Sequence, residues 1–141
     1  MPRRCLVRPT KRGNMFKRID HVELIPSDIE ATIKFYTEIL GFTLAERKPV
    51  EGIGTLKEYV YLELGDTRLE LMSYEETGPK PKKSIHIGYN AISIEVDDMD
   101  LALAHLKEKG VALSADPVDL GHCIRAEIKD PDGLPIELMQ W

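Results

Sequence analysis

His21, Glu70 and Glu137 stand in three short apolar runs, IDHVEL, LELM and IELM. An imidazole and two carboxylates are ordinary donors for a divalent metal, and carboxylates also move protons to and from carbon. Charges set among leucines and methionines cost free energy unless they are paired or ligated. LELM (69–72) and IELM (136–139) are nearly the same phrase written twice, and the strand at His21 has a counterpart that begins at Ala91. In that counterpart Ala91 takes the histidine's place. A four-cornered arrangement therefore has three polar corners and one apolar one. Neighbours on a strand face opposite sides. Val22, Leu24, Leu69, Leu71, Ile136 and Leu138 fall on one face, and Ile19, His21, Glu23, Glu70, Ala91 and Glu137 on the other. A solvated sheet face shows the same alternation, so the residue pattern alone supports a site and a wet surface equally.

The elements that must position these residues come in a repeated order. KRIDHVELIP (17–26) alternates as a half-buried strand. SDIEATIKFYTEILGF opens with a capping box, Ser27 as cap and Glu30 as its acidic partner. Ile29, Ile33, Tyr36 and Leu40 share one helical face, with Phe35 at its edge, and Gly41 stops the helix. Strands follow at 42–48, 57–64 and 67–72, the last two joined by a turn at Gly65-Asp66. The second copy has a strand at 91–96 and a helix at 97–110 with Asp97 as cap and Gly110 as stop. VALSADPV is extended, and HCIRAEIKD and LPIELMQW are strands joined at Asp132-Gly133. Module one thus spans about 16–77 and module two about 86–141, with a linker at 78–85 that begins GPKPKKS.

The chain's 141 residues suit a single domain, 15–141, with a core of its own. No apolar run is long enough to span a membrane. Residues 1–14 hold four Arg, one Lys and no acid, a net +5. The whole chain carries −5, so residues 15–141 carry −10, which disfavours a nucleic-acid partner. The segment 1–14 reads as a disordered basic extension, or as the product of an upstream start with Met15 as the natural one; it lacks the apolar core of a secretory signal. Two cysteines, Cys5 and Cys123, make a framework disulfide unexpected and fit a cytoplasmic location. Cys123 adjoins His122 but lacks the surroundings of a nucleophile, so it reads as a buried or edge thiol.

From about Phe16 to Trp141 the chain resembles the vicinal oxygen chelate superfamily, the glyoxalase I/bleomycin-resistance/dioxygenase group. The resemblance rests on DHVELIPSD, FYTEILGF, LELM, AISIEVDD, LKEKG and above all DPDGLPIEL. It implies an α+β fold of two βαβββ modules forming a cupped mixed sheet. It also implies a divalent metal (Ni, Co, Mn, Zn or Fe) held at four positions, which fall here on His21, Glu70, Ala91 and Glu137. The third is usually histidine. Ala91 therefore puts the metal itself in question, although a water, His86 or His122 could fill the corner. Glu137 and Glu70 become the candidate catalytic bases of a lyase or isomerase acting next to a carbonyl, similar to lactoylglutathione lyase. A methylmalonyl-CoA epimerase-like isomerase and a metal-free, bleomycin-resistance-like binding module are the alternatives. In the binder, Tyr59, Tyr61 and Met72 would line the cleft. An extradiol dioxygenase is disfavoured, because Ala91 leaves one of its two histidines. The resemblance further implies a homodimer and a small-molecule substrate, such as a hemithioacetal.

Overall fold

The structure, a computed structural model, describes residues 15–83 and 85–141. The basic extension 1–14, with Cys5, lies outside the described residues, as does Ser84 of the linker. The first module runs β1 (Val22–Leu24), α1 (Ile29–Lys34), β2 (Thr43–Pro49), β3 (Leu56–Leu64) and β4 (Thr67–Tyr74). The second runs β5 (Ile92–Glu95), α2 (Met99–Glu108), β6 (Leu113–Asp119), β7 (Ile124–Lys129) and β8 (Pro135–Gln140). Each module folds one four-stranded sheet, ordered β1-β4-β3-β2 and β5-β8-β7-β6. The first strand of each lies parallel to the last, and the other pairings are antiparallel. The register is also repeated: Glu23 faces Glu70 across β1 and β4, and Ser93 faces Glu137 across β5 and β8. The expected α+β fold of two βαβββ modules is the fold observed.

Several boundaries differ from the sequence expectation, each for a physical reason. The first strand shrinks from 17–26 to Val22–Leu24 because it is an edge strand paired with β4 alone, and Pro26 can donate nothing to a ladder. Ser27 is not the cap of α1. Asp28 is extended and accepts from the Ala31 N–H at 3.0 Å, whereas Ser27 is engaged by the other module. Asp98, not Asp97, caps α2, accepting from the Leu101 N–H at 3.0 Å. Beyond Lys34 the first helix widens into a π-helical turn, Phe35–Ile39, and both Phe35 and Tyr36 are buried there. Gly41 then ends the helix at φ +80°, a conformation that favours glycine. In β6 the register shifts between Ala115 and Val118, where Pro117 has no N–H to pair.

One continuous core joins the modules. Tyr36, Val60, Leu62 and Leu71 from the first meet Met99, Leu106, Ile128, Ile136 and Leu138 from the second. A polar latch closes over its edge. The Tyr36 hydroxyl, fully buried, donates to Asp130 Oδ2 at 3.1 Å. Asp130 also accepts from the Asp132 and Leu134 N–H groups, both at 2.9 Å. The Ser27 N–H and hydroxyl both donate to the Asp132 carboxylate, at 3.0 and 2.5 Å. The DPDG turn is thus the point where the second module grips the first. Gly133 completes that turn at φ +78°.

Candidate metal centre

His21 sits just before β1, and Glu23 lies two positions on, so both side chains leave the same face. Glu70 arrives from β4, directly opposite Glu23. The result is a tight group. His21 Nε2 lies 3.0 Å from Glu70 Oε2 and 3.8 Å from Glu23 Oε1. One donor atom from each of the three falls within 4.8 Å of the others. Glu70 is 8% exposed, so its carboxylate stands at the floor of the group rather than in free solvent. The Nδ1 side of the ring is held by Asp20 Oδ2 at 2.9 Å. Asp20 pulls the imidazole's pKa above its ordinary value; burial opposes this, and the charges of Glu70, Asp20 and Glu23 reinforce it. The same hydrogen bond from His21 holds Asp20 below the ordinary carboxylate range. Tyr61 meets the His21 ring edge-on at 5.9 Å. Burial, then its bond to Glu70, pushes the Tyr61 hydroxyl up. The Arg68 guanidinium lies 4.9 Å from the centre of the Tyr61 ring.

The donor set fits a divalent ion. His21 Nε2 and Glu70 Oε2, 3.0 Å apart, are close enough to share a proton or to turn to one divalent ion. An imidazole with its other nitrogen on a carboxylate is the usual orientation for a ligating histidine. One nitrogen and two carboxylates suit borderline and hard divalent metals and leave positions for substrate or water.

The second module offers a different arrangement at the matching places. Ala91 lines the same cavity as His21 and Glu23, between the edges of the two sheets; Ile19, Tyr89 and Asn90 also line it, and its volume is about 530 Å³. Glu137 accepts from the Ser93 hydroxyl and from Arg125 Nη2, each at 2.7 Å. Arg125 reaches Glu127 as well, at 3.2 Å. Arg125 first, then Ser93, hold the Glu137 carboxyl below its ordinary value. The structure therefore brings His21 and Glu70 together and adds Glu23 to them. Glu137 lies on the other sheet, outside that group, with a guanidinium as its counter-charge. Neither spare histidine joins the group: His86 faces the Lys83 carbonyl, and His122 lies beside the Trp141 ring at 6.0 Å. Tyr59 packs on Tyr61 at 5.3 Å, and Tyr36 belongs to the core, as its helical spacing implies. Cys123 is a buried free thiol. The alternation of β1 already puts Glu23 on the face of His21. What singles it out is the His-x-Glu spacing, which a search for repeated corners passes over.

Two fused βαβββ modules, the first carrying a His/Glu/Glu group that could hold a metal, define a class of protein. The family model described as "Glyoxalase/Bleomycin resistance protein/Dioxygenase superfamily" matches residues 18–138, and the chain belongs to this superfamily. A protein named lactoylglutathione lyase from Neisseria meningitidis is 34% identical over 127 residues, covering 87% of this chain and 90% of the relative. The mitochondrial methylmalonyl-CoA epimerase of Homo sapiens is 30% identical over 131 residues, covering 87% and 73%. Among solved structures, the antibiotic-binding protein TnmS3 from Streptomyces sp. CB03234 superposes with a TM-score of 0.71 at 27% identity, covering 90% of this chain and 98% of that one. No helix among the described residues is long and apolar enough to cross a membrane.

Proposed function

We propose that this protein is a divalent-metal-dependent lyase or isomerase, similar in activity to lactoylglutathione lyase. It would act on the carbon next to a carbonyl of a small substrate such as a hemithioacetal. The observation that carries this reading is the 3.0 Å approach of His21 Nε2 to Glu70 Oε2, with His21 itself lining a ligand-sized cavity. His21 and Glu70 would hold the ion; Asp20 fixes the imidazole's orientation through Nδ1. A bound divalent ion would polarise the substrate's carbonyl oxygen and so acidify the neighbouring C–H. Glu137 is the base we assign to that proton, with Glu70 as the second carboxylate able to take it. Arg125 and Ser93 keep Glu137 ionised and oriented. A cytoplasmic homodimer is the assembly and location that accompany this reading.

The test is direct. Metal-stripped protein, purified without an affinity tag, is reloaded in turn with Ni²⁺, Co²⁺, Mn²⁺, Zn²⁺ and Fe²⁺ and assayed on hemithioacetals. Activity should require metal and disappear in His21→Ala and Glu137→Gln, with the circular dichroism of both variants unchanged. Full activity in Glu137→Gln would overturn the base assignment. Ala91 at the third corner favours a second reading, a ligand-sequestering module of the kind TnmS3's name describes. That reading requires tight binding of a small molecule by the stripped protein, unaffected by chelator, and no turnover with any of the five metals.

A further inference from the structure

We propose that the third protein ligand of the metal centre is Glu23, so that the first module alone holds the ion. The inference rests on the metal reading above and departs from the arrangement in which both modules supply ligands. Three observations support it. First, Glu23 is already in the group: its Oε1 lies 3.8 Å from His21 Nε2, and its strand position pairs with Glu70. Second, Glu23 is available. Its side chain is 59% exposed, and among the described residues its ion pair is with His21 alone. A carboxylate in that state gives up little on turning to an ion. Third, the matching positions of the second module offer nothing comparable. Ala91 carries no donor, and Glu137 is occupied by Arg125 and Ser93. Moving Glu137 to an ion would strip Arg125 of its shorter ion pair and leave only Glu127, at 3.2 Å.

The repeat also sets the stoichiometry. The positions of His21 and Glu23 are filled in module two by Ala91 and Ser93. The second module therefore cannot build a copy of the site, and each chain binds one ion. Its polar cluster is left for the substrate and its proton, and Ala91 lines the same cavity as His21 with only a methyl.

The test separates this assignment from the reading on which it rests. Mn²⁺ and Co²⁺ are titrated by calorimetry into the stripped, full-length protein and into His21→Ala, Glu23→Gln and Glu137→Gln. Circular dichroism confirms that each variant is folded. Wild type should bind one ion per chain and His21→Ala none. Glu23→Gln should bind at least about tenfold more weakly, and Glu137→Gln within about twofold of wild type. A Co²⁺ absorption spectrum altered in Glu23→Gln and unaltered in Glu137→Gln would be an independent sign of the same ligand set. Wild-type affinity in Glu23→Gln, with the loss falling on Glu137→Gln, overturns the role of Glu23 and leaves the metal reading standing. Failure of wild type to bind either ion, or unimpaired binding by His21→Ala, overturns the metal reading and this assignment with it.

Discussion

The Tyr36–Asp130 hydrogen bond joins positions far apart in sequence and ties the helix of one module to the turn of the other, so cutting it tests how the halves are held together. Tyr36→Phe removes the hydroxyl alone. The lost bond has a charged acceptor, but Asp130 keeps its two backbone donors, so the expected cost is about 2 kcal/mol. Asp130→Asn keeps one acceptor oxygen for the two backbone donors, removes the charge and sets an amide N–H₂ against the Tyr36 hydroxyl, at an expected cost of about 3 kcal/mol. The two residues share one bond, so the double variant should cost about 3.5 kcal/mol rather than about 5 kcal/mol, a coupling of about 1.5 kcal/mol. With a urea slope of about 2 kcal/mol/M, the single variants lower the unfolding midpoint by about 1 M and about 1.5 M. The pH dependence adds a check of sign. Burial holds the Asp130 carboxyl above its ordinary value of 3.8, against the pull of its Leu134, Asp132 and Tyr36 hydrogen bonds. A carboxyl raised in the folded state takes up its proton there first, so wild type gains stability as pH falls through that raised value toward 3.8. Asn cannot follow. The gap between wild type and Asp130→Asn should therefore widen as pH falls across that window. Additive costs, or a gap that narrows on acidification, would refute the account of a buried, desolvated carboxylate holding the modules together.

Thr32 is 1% exposed and its hydroxyl has no partner among the described residues, so Thr32→Val should stabilise the protein by about 1 kcal/mol and raise the melting temperature by about 3 °C. Calorimetric melting decides it, and a drop in melting temperature would show that the hydroxyl is satisfied in solution. Arg47 grips Glu58 through two nitrogens, at 2.8 and 3.0 Å, and reaches Glu30; the bond to Glu58 holds that carboxyl below its ordinary value of 4.5. A lowered carboxyl contributes stability above its unfolded value and loses it as pH falls through the lowered one. Arg47→Met should therefore cost no more than about 1 kcal/mol at pH 7, because the pair is partly exposed, and progressively less below pH 4.5. Urea melts at pH 7 and at acid pH measure both halves of that statement; a cost that does not shrink below pH 4.5 would remove Glu58 from the explanation.

The amino-acid sequence by itself determined the modular architecture. Each strand and helix is specified by close neighbours along the chain: alternation put Glu70 and Glu137 on the face away from the helices, and Gly41 ended the first helix. The repetition of LELM in IELM, with Ala91 where His21 has its counterpart, was enough to show two modules and one corner lacking a donor. Tertiary structure decided the choices between groups of equal local merit. Ser27 and Asp28 are both good helix caps, and the sequence favours Ser27 through Glu30. The fold gives the cap to Asp28, because Asp132, in the other module, claims both the hydroxyl and the N–H of Ser27. Glu23 and Glu137 are both carboxylates on the polar face; the repeat of the modules points to Glu137, and only the His-x-Glu spacing points to Glu23. The β1–β4 register sets Glu23 opposite Glu70, while the β7–β8 hairpin delivers Arg125 to Glu137. Short-range periodicity fixes which face a side chain takes. Which partner it meets there depends on strand register and module packing, and those are set by contacts across the whole chain.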